Sequence, residues 1–476
     1  MSAVRLAAMS LLLPAVLAAQ QPADRRQPPP LGPTAELRLP RVAEHRLANG
    51  LTVWLVESRE VPLVQLNLVV HAGSGDDAEG EFGLASLTAA MLDEGAGERS
   101  ALDIADAVEF LGADLSTTSS FDASAVRLNV PARALAEALP IMVDVAARPT
   151  FPEAELERLR QERLTAVLQA RDDPSAVATP AFTRVVYGDE HRYGTSALGT
   201  TATLAAFTAA ELREFHAARY RPSNATLIVV GDLAAAGGLP AIERAFGAWP
   251  AQDAPRREPV AAAPQLAALE VVIVDMPGAE QSQIRIGSVG VARSTPDYFA
   301  LQVLNTVLGG SFTSRLNQNL REEHGYAYGA SSRFDLRLSP GPFAAAAGVQ
   351  TDKTAESLTE FFNELRAIRE PIGAEELAKA KNYLSLTFPG NFETIDDLAG
   401  NLEELAIYGL PQTYYADYTD RIDAVTAADV QRAAAARVQL DKLAVVIAGD
   451  LERIGPAVRA LALGPVRVIS AEEAVP

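Results

Sequence analysis

The chain has 476 residues, 48% of them hydrophobic and 21% charged, enough for two or three ordinary domains with a sizeable core. Its 41 basic and 61 acidic residues give a formal charge of −20, which repels phosphate backbones and argues against nucleic-acid binding. There is no cysteine, and only five histidines (His45, His71, His191, His216, His324), so thiolate chemistry, disulfides, cysteine-based zinc sites and paired histidines on one helical turn are all excluded.

Taken in chain order, the N-terminus reads as an address. Arg5 precedes an apolar run at 6–19 that ends in Ala18 and Ala19, the pattern of a cleaved signal peptide over residues 1–19. The run contains Pro14 and falls short of the roughly 20 residues that a membrane-spanning helix needs. Export, most simply to the periplasm, is therefore expected, with a membrane anchor as the alternative. Residues 20–40 hold Pro22, Pro28, Pro29, Pro30, Pro33 and Pro40 and read as an extended Pro-rich leader.

An Asn49-Gly50 hairpin is expected between strands at 52–57 and 64–71. Helices follow at 82–94 and 102–111, then a strand at 123–130 and a long amphipathic helix over 153–170. Gly73-Ser74-Gly75-Asp76-Asp77-Ala78 fits a dinucleotide fingerprint only superficially, since Asp76 and Asp77 would face a pyrophosphate. It is better read as a turn. No nucleophile elbow and no Walker loop occurs.

The chain then repeats itself. Thr208-Ala-Ala-Glu-Leu leads to an apolar strand at 226–230 and Gly231-Asp232-Leu233. Thr426-Ala-Ala-Asp-Val leads to a strand at 443–447 and Gly449-Asp450-Leu451, with 23 residues from Thr to Gly in each case. A Thr cap, an Ala-rich helix, a buried strand and a Gly-Asp turn in the same order argue for duplication. Residues 250–267, rich in Pro and Ala, separate the halves. The second half opens with strands at 270–274 and 282–289. A helix over 296–308 follows, with Thr295 as its cap, Pro296 at its first position and Gly309-Gly310 as its stop. Runs of strands and runs of helices make the fold class α+β. The expected division is 41–249, linker 250–267 and 268–476.

Several of these motifs resemble one family. Asn49-Gly50-Leu51, Ala72-Gly73-Ser74, Gly83-Leu84-Ala85, Leu198-Gly199-Thr200, Tyr220-Arg221-Pro222-Ser223-Asn224 and Val229-Val230-Gly231-Asp232 resemble the pitrilysin/insulinase-type zinc metallopeptidases. The resemblance runs from about residue 41 to about 460. It implies two similar halves, each a mostly antiparallel sheet with helices packed on it, pairing with two more halves around a closed peptide chamber. In that family Gly-Leu-Ala leads into an inverted zinc motif, H-x-x-E-H, whose histidines lie on one helix face and whose glutamate activates the water. Here the ligand slots hold Ser86 and Ala90, the base slot holds Ala89, and the distant glutamate's slot holds Ala166. None of these can hold zinc. Asp93 and Glu94 lie close by in sequence but do not restore the geometry.

The second half departs less. Gly309-Gly310-Ser311 resembles the family's glycine-rich substrate loop. Arg321 and Tyr328, seven residues apart, resemble a pair that reaches the zinc site of the opposing half. A guanidinium holds peptide carbonyls, and a phenol donates to the oxyanion of a tetrahedral intermediate. Read without the family, Arg321 is a helix-terminal arginine, Tyr328 a packed strand residue and the Gly pair a helix stop. Tyr326 stands at the wrong spacing, and His191 and His324 read as local residues.

The resemblance implies a zinc-lacking subunit of an exported peptidase, like that of a bacterial heterodimeric member or a processing-peptidase alpha subunit. No cofactor is expected in this chain. Zinc belongs to a partner subunit of the same family, and the substrate is a peptide. A scaffold of the same fold and a self-sufficient peptidase with an unrecognised site are the alternatives.

Overall fold

The computed structural model describes residues 39–476. The expected signal peptide and nearly all of the Pro-rich leader lie outside these residues. Among the described residues fourteen strands occur: β1 (Ala43–Arg46), β2 (Thr52–Glu57), β3 (Leu63–Val70), β4 (Gly95–Ala96), β5 (Arg99–Ser100), β6 (Asp114–Ser119), β7 (Ser124–Pro131), β8 (Ala225–Gly231), β9 (Glu270–Asp275), β10 (Gln281–Val289), β11 (Ala327–Phe334), β12 (Pro342–Gln350), β13 (Ala444–Gly449) and β14 (Val466–Ser470). Two six-stranded sheets form, in the orders β1-β2-β8-β3-β7-β6 and β11-β12-β10-β13-β9-β14.

Five strands of each sheet match one for one. β2-β8-β3-β7-β6 and β9-β13-β10-β12-β11 share their order and directions, with one parallel pair each (β2/β8 and β9/β13) followed by antiparallel neighbours. The duplication extends to helix starts. Thr208 and Thr426 each accept from the backbone three residues on, while Glu211 and Asp429 bond back, so the same capping box opens both 11-residue helices. The sixth strands differ. β1 joins β2 antiparallel, whereas β14 joins β9 parallel.

The central strands of each sheet are buried on both faces, and the two halves exchange helices to do it. Alternate residues of one strand point to opposite faces. Val53, Leu55, Leu227 and Val229 meet the first half's own helices. Trp54, Val56, Ile228 and Val230 share a core with Ile395, Leu398, Ala399 and Leu402 of the second half's helix Ile395–Tyr408. Reciprocally, Val177, Ala178, Ala181 and Phe182 of the first half's helix Pro174–Tyr187 pack on Val272, Val274, Val446 and Ala448 of the second sheet. Double burial explains why β8 and β13 read as continuous apolar runs. A buried polar tie accompanies the exchange: Asn67 Nδ2 and Arg127 Nε each donate to Glu403 Oε2 at 3.0 Å.

Three local expectations are corrected. The Asn49-Gly50 turn joins β1 to β2, and β8 separates β2 from β3. Asn49 Nδ2 donates to the carbonyls of Phe246 and Trp249, both at 2.9 Å, so the turn is held by distant chain. The helix expected over 82–94 spans only Leu84–Ala90, because residues 95–100 fold back as the β4–β5 hairpin, turned at Gly97 with φ +60°. The helix expected from Pro296 begins at Tyr298, with Thr295 Oγ1 accepting from the Asp297 backbone. It then widens into a π-helical turn, Thr306–Gly310, so the glycine pair lies inside the last turn rather than beyond it.

Candidate functional site

The positions that the resemblance assigns as zinc slots sit on two helices. Ser86 and Ala89 are buried on Leu84–Ala90, and Ala166 lies on Glu153–Ala170. Neither a hydroxyl nor a methyl replaces an imidazole or carboxylate ligand, so the residues present do not fit zinc. Among the described residues, no three His, Cys, Asp or Glu side chains are grouped as a metal would require. What ties the helices is an arginine: Arg163 Nη2 donates to the Ser86 carbonyl at 3.0 Å. Among the described residues its buried Nη1 has no acceptor, and burial pulls the guanidinium down to about 10. A fixed positive charge beside the first ligand slot opposes a cation there. Ala166 borders a largely apolar cavity of about 480 Å³, lined also by Phe82, Val167, Leu198 and Val475.

Asp93 and Glu94 have other duties. Asp93 accepts from Thr117 Oγ1 at 3.4 Å, and burial raises its pKa. Glu94 pairs with Arg158. His191 accepts from the Tyr193 backbone through Nδ1 and meets the Ala261 carbonyl through Nε2 at 2.8 Å, which assigns the proton to Nε2. His216 is buried and His71 half-buried, and desolvation lowers both pKa values to about 4.

Arg321 and Tyr328 come together on the second half. A second π-helical turn, Gln318–Glu323, buries Leu320 and turns Arg321 outward. Gly325, at φ +65°, reverses the chain into β11, the edge strand of its sheet. The Arg321 guanidinium carbon lies 5.1 Å from the Tyr328 ring centroid. Tyr328 is 89% exposed, which removes the packed-strand reading. His324 and Tyr326 stack on each other at 4.9 Å, so neither competes for the pair.

Gly309 is fixed by packing. A Cβ there would stand 2.2 Å from the Ser332 backbone nitrogen of β11. Ser311 Oγ donates to the Thr306 carbonyl at 3.1 Å, closing the turn. Immediately beyond, Phe312 is 60% exposed, with its ring centroid 4.4 Å from the Arg321 guanidinium carbon. Phe312 and Arg163 belong to none of the motifs that the sequence displays. An aromatic between Ser311 and Thr313 in a polar loop, and an arginine one turn before Ala166, were the available signals.

The duplicated frame shows what the fold itself requires. Gly112 (φ +64°) precedes β6 as Gly325 precedes β11, each two residues ahead of its strand. Counted from these glycines, Arg321 matches Val108 and Tyr328 matches Leu115. Val108 and Leu115 are partly buried against the first half's core.

Comparison with known proteins bears on the family and the two-half fold. The model described as Insulinase (Peptidase family M16) matches residues 52–200, and the one described as Peptidase M16 inactive domain matches 206–384. An uncharacterized zinc protease of Streptomyces coelicolor is 26% identical over 392 residues, covering 82% of this chain and 85% of that protein. A crystal structure of a peptidase M16 inactive domain from Pseudomonas fluorescens has a TM-score of 0.79 at 27% identity, covering 86% of this chain and 98% of that one. The first half of the periplasmic protease PqqL from Escherichia coli shares the fold, with a TM-score of 0.71 at 18% identity over 92% of this chain and 98% of that one.

Proposed function

Since this chain belongs to the insulinase family of peptidases, M16, we propose that it is the zinc-lacking subunit of an exported peptidase complex. Its two peptidase-like domains are 41–249 and 268–476, joined by 250–267. A partner of the same family carries the intact H-x-x-E-H, and the two close a chamber around an extended peptide. Zinc held by that partner's H-x-x-E-H would supply Lewis-acid polarisation of the scissile carbonyl and an activated water. From this chain, the Arg321 guanidinium holds a substrate carbonyl, and the Tyr328 phenol donates to the oxyanion as it develops. Gly309, Gly310 and Ser311 shape the loop beside them.

One observation carries this reading. At matched places in the duplicated frame, the first half has apolar residues turned to its core, while the second has Arg321 and an exposed Tyr328. The fold does not need that arginine or that phenol. The periplasmic description of the related half-protease and the apolar run at 6–19 both favour export.

The test is co-purification of the tagged full chain from its source, with metal analysis of each subunit and turnover of an unstructured fluorogenic peptide. Zinc is expected in the partner alone, and the isolated chain is expected to be inactive. Tyr328→Phe should lower kcat of the complex by about 10²–10³ without loss of assembly. Unchanged turnover in both Tyr328→Phe and Arg321→Ala would leave the chain as a scaffold.

A further inference from the structure

Phe312 is an apolar side chain left mostly in water, and the ring is in contact with a cation. It lies in the short segment between the two π-helical turns, Thr306–Gly310 and Gln318–Glu323, next to the close approach of Gly309 to β11. Two rings, Phe312 at 4.4 Å and Tyr328 at 5.1 Å, flank the Arg321 guanidinium carbon. Among the described residues, the one carboxylate within 4.0 Å of it is that of Glu322, 3.3 Å from Nε and on the neighbouring residue. Among the described residues no backbone carbonyl accepts from this guanidinium. Arg315, in the same segment, is held differently, by paired bonds of 2.7 Å to Glu376 that occupy Nε and Nη2.

That contrast matters chemically. A carboxylate holds a guanidinium by its N–H edge and uses up the donors. An aromatic ring attracts the cation through its π face and accepts no conventional hydrogen bond, so the terminal N–H groups remain available. Phe312 and Tyr328 therefore restrain a long, flexible side chain while sparing the donors that a peptide carbonyl would accept from.

We propose that Phe312 is a positioning residue that holds the Arg321 guanidinium beside Tyr328 with its N–H donors free for the backbone carbonyls of an extended peptide. This rests on the reading of Arg321 and Tyr328 as substrate-side groups. Restraint before binding removes an ordering cost from the bound complex, so loss of the ring appears as lost catalytic efficiency.

The experiment compares Phe312→Leu and Phe312→Tyr in the full chain, with two readouts. In the chain alone, phenylglyoxal modification of Arg321 is followed by peptide mapping. Phe312→Leu should speed it by at least about threefold, and Phe312→Tyr should leave it near wild type. In the zinc-bearing complex, Phe312→Leu should lower kcat/KM for an unstructured fluorogenic peptide by about tenfold, and Phe312→Tyr should restore it. An unchanged modification rate in Phe312→Leu overturns the restraint. If Arg321→Ala and Tyr328→Phe impair turnover while Phe312→Leu does not, the positioning role alone fails. If Arg321→Ala and Tyr328→Phe leave turnover intact, the substrate-side reading fails, whatever the modification rate reports.

Discussion

Arg163 Nη2 donates to the Ser86 carbonyl at 3.0 Å, which brings a guanidinium to the helix where the family's zinc histidines stand. The contact joins the two helices on which the resemblance places the zinc slots. It does so at a cost, because the guanidinium is partly desolvated and its buried Nη1 has no acceptor among the described residues.

The cost makes a prediction about stability. Burial disfavours the charged form of Arg163, so its folded pKa lies below the 12.5 of an ordinary arginine, and the charge opposes folding throughout the neutral range. Arg163→Met should leave stability unchanged or raise it by up to about 1 kcal/mol in urea denaturation. A loss above about 2 kcal/mol would mean that the bond to Ser86 outweighs the burial cost.

Acid should weaken the fold through His71 and His216. Their folded pKa values, lowered to about 4 by burial, lie below the ordinary 6.5. The unfolded chain thus takes up protons first, so stability is complete above pH 6.5 and is lost as pH falls from 6.5 through 4. Each histidine should contribute about 2 kcal/mol to the loss between pH 7 and pH 5. His216→Gln should flatten that slope in urea midpoints taken across the window, even if it lowers stability at pH 7. An unaltered slope would show that His216 titrates normally.

The exchange of helices should be sensitive to Glu403. Its carboxylate receives Asn67 from β3 and Arg127 from β7 and lies on a helix of the other half. Glu403→Gln leaves Arg127 without its counter-charge in a mostly buried setting and should cost about 2–3 kcal/mol. In a double-mutant cycle with Arg127→Met, a coupling near zero would contradict a shared tie.

Two glycines should respond in opposite directions to alanine. Gly309→Ala forces a Cβ against the β11 backbone and should destabilise by at least about 2 kcal/mol, lowering the thermal midpoint. Gly400 lies inside the helix Ile395–Tyr408 with open space around its Cβ position, so Gly400→Ala should stabilise by about 0.5–1 kcal/mol. Equal midpoints for the two variants would contradict the packing role of Gly309.

Much of the frame is legible in the residues. Thr208 and Thr426, each followed three residues on by an acid, mark two equivalent helix starts, since a capping box is a local arrangement of neighbours. The helix at 153–170 and the strand at 52–57 are found where apolar periodicity places them. That Ser86, Ala89, Ala90 and Ala166 occupy ligand and base slots is an expectation from family resemblance, and their side chains offer no imidazole or carboxylate.

What tertiary structure alone decided is which surfaces meet. The apolar face of Pro174–Tyr187 declares that it must be buried, yet periodicity does not say that the other half's sheet covers it. The Asn49-Gly50 turn was recognisable, but the insertion of β8 between β2 and β3 depends on a strand more than 150 residues away. Phe312 and Arg163 acquire meaning only from the guanidinium and carbonyl they meet across a turn or between helices. Short-range forces write helix caps and turns into neighbouring residues. Contacts between distant segments form only once the whole chain has closed, and there this protein sets one arginine against Ser86 and another between two exposed rings.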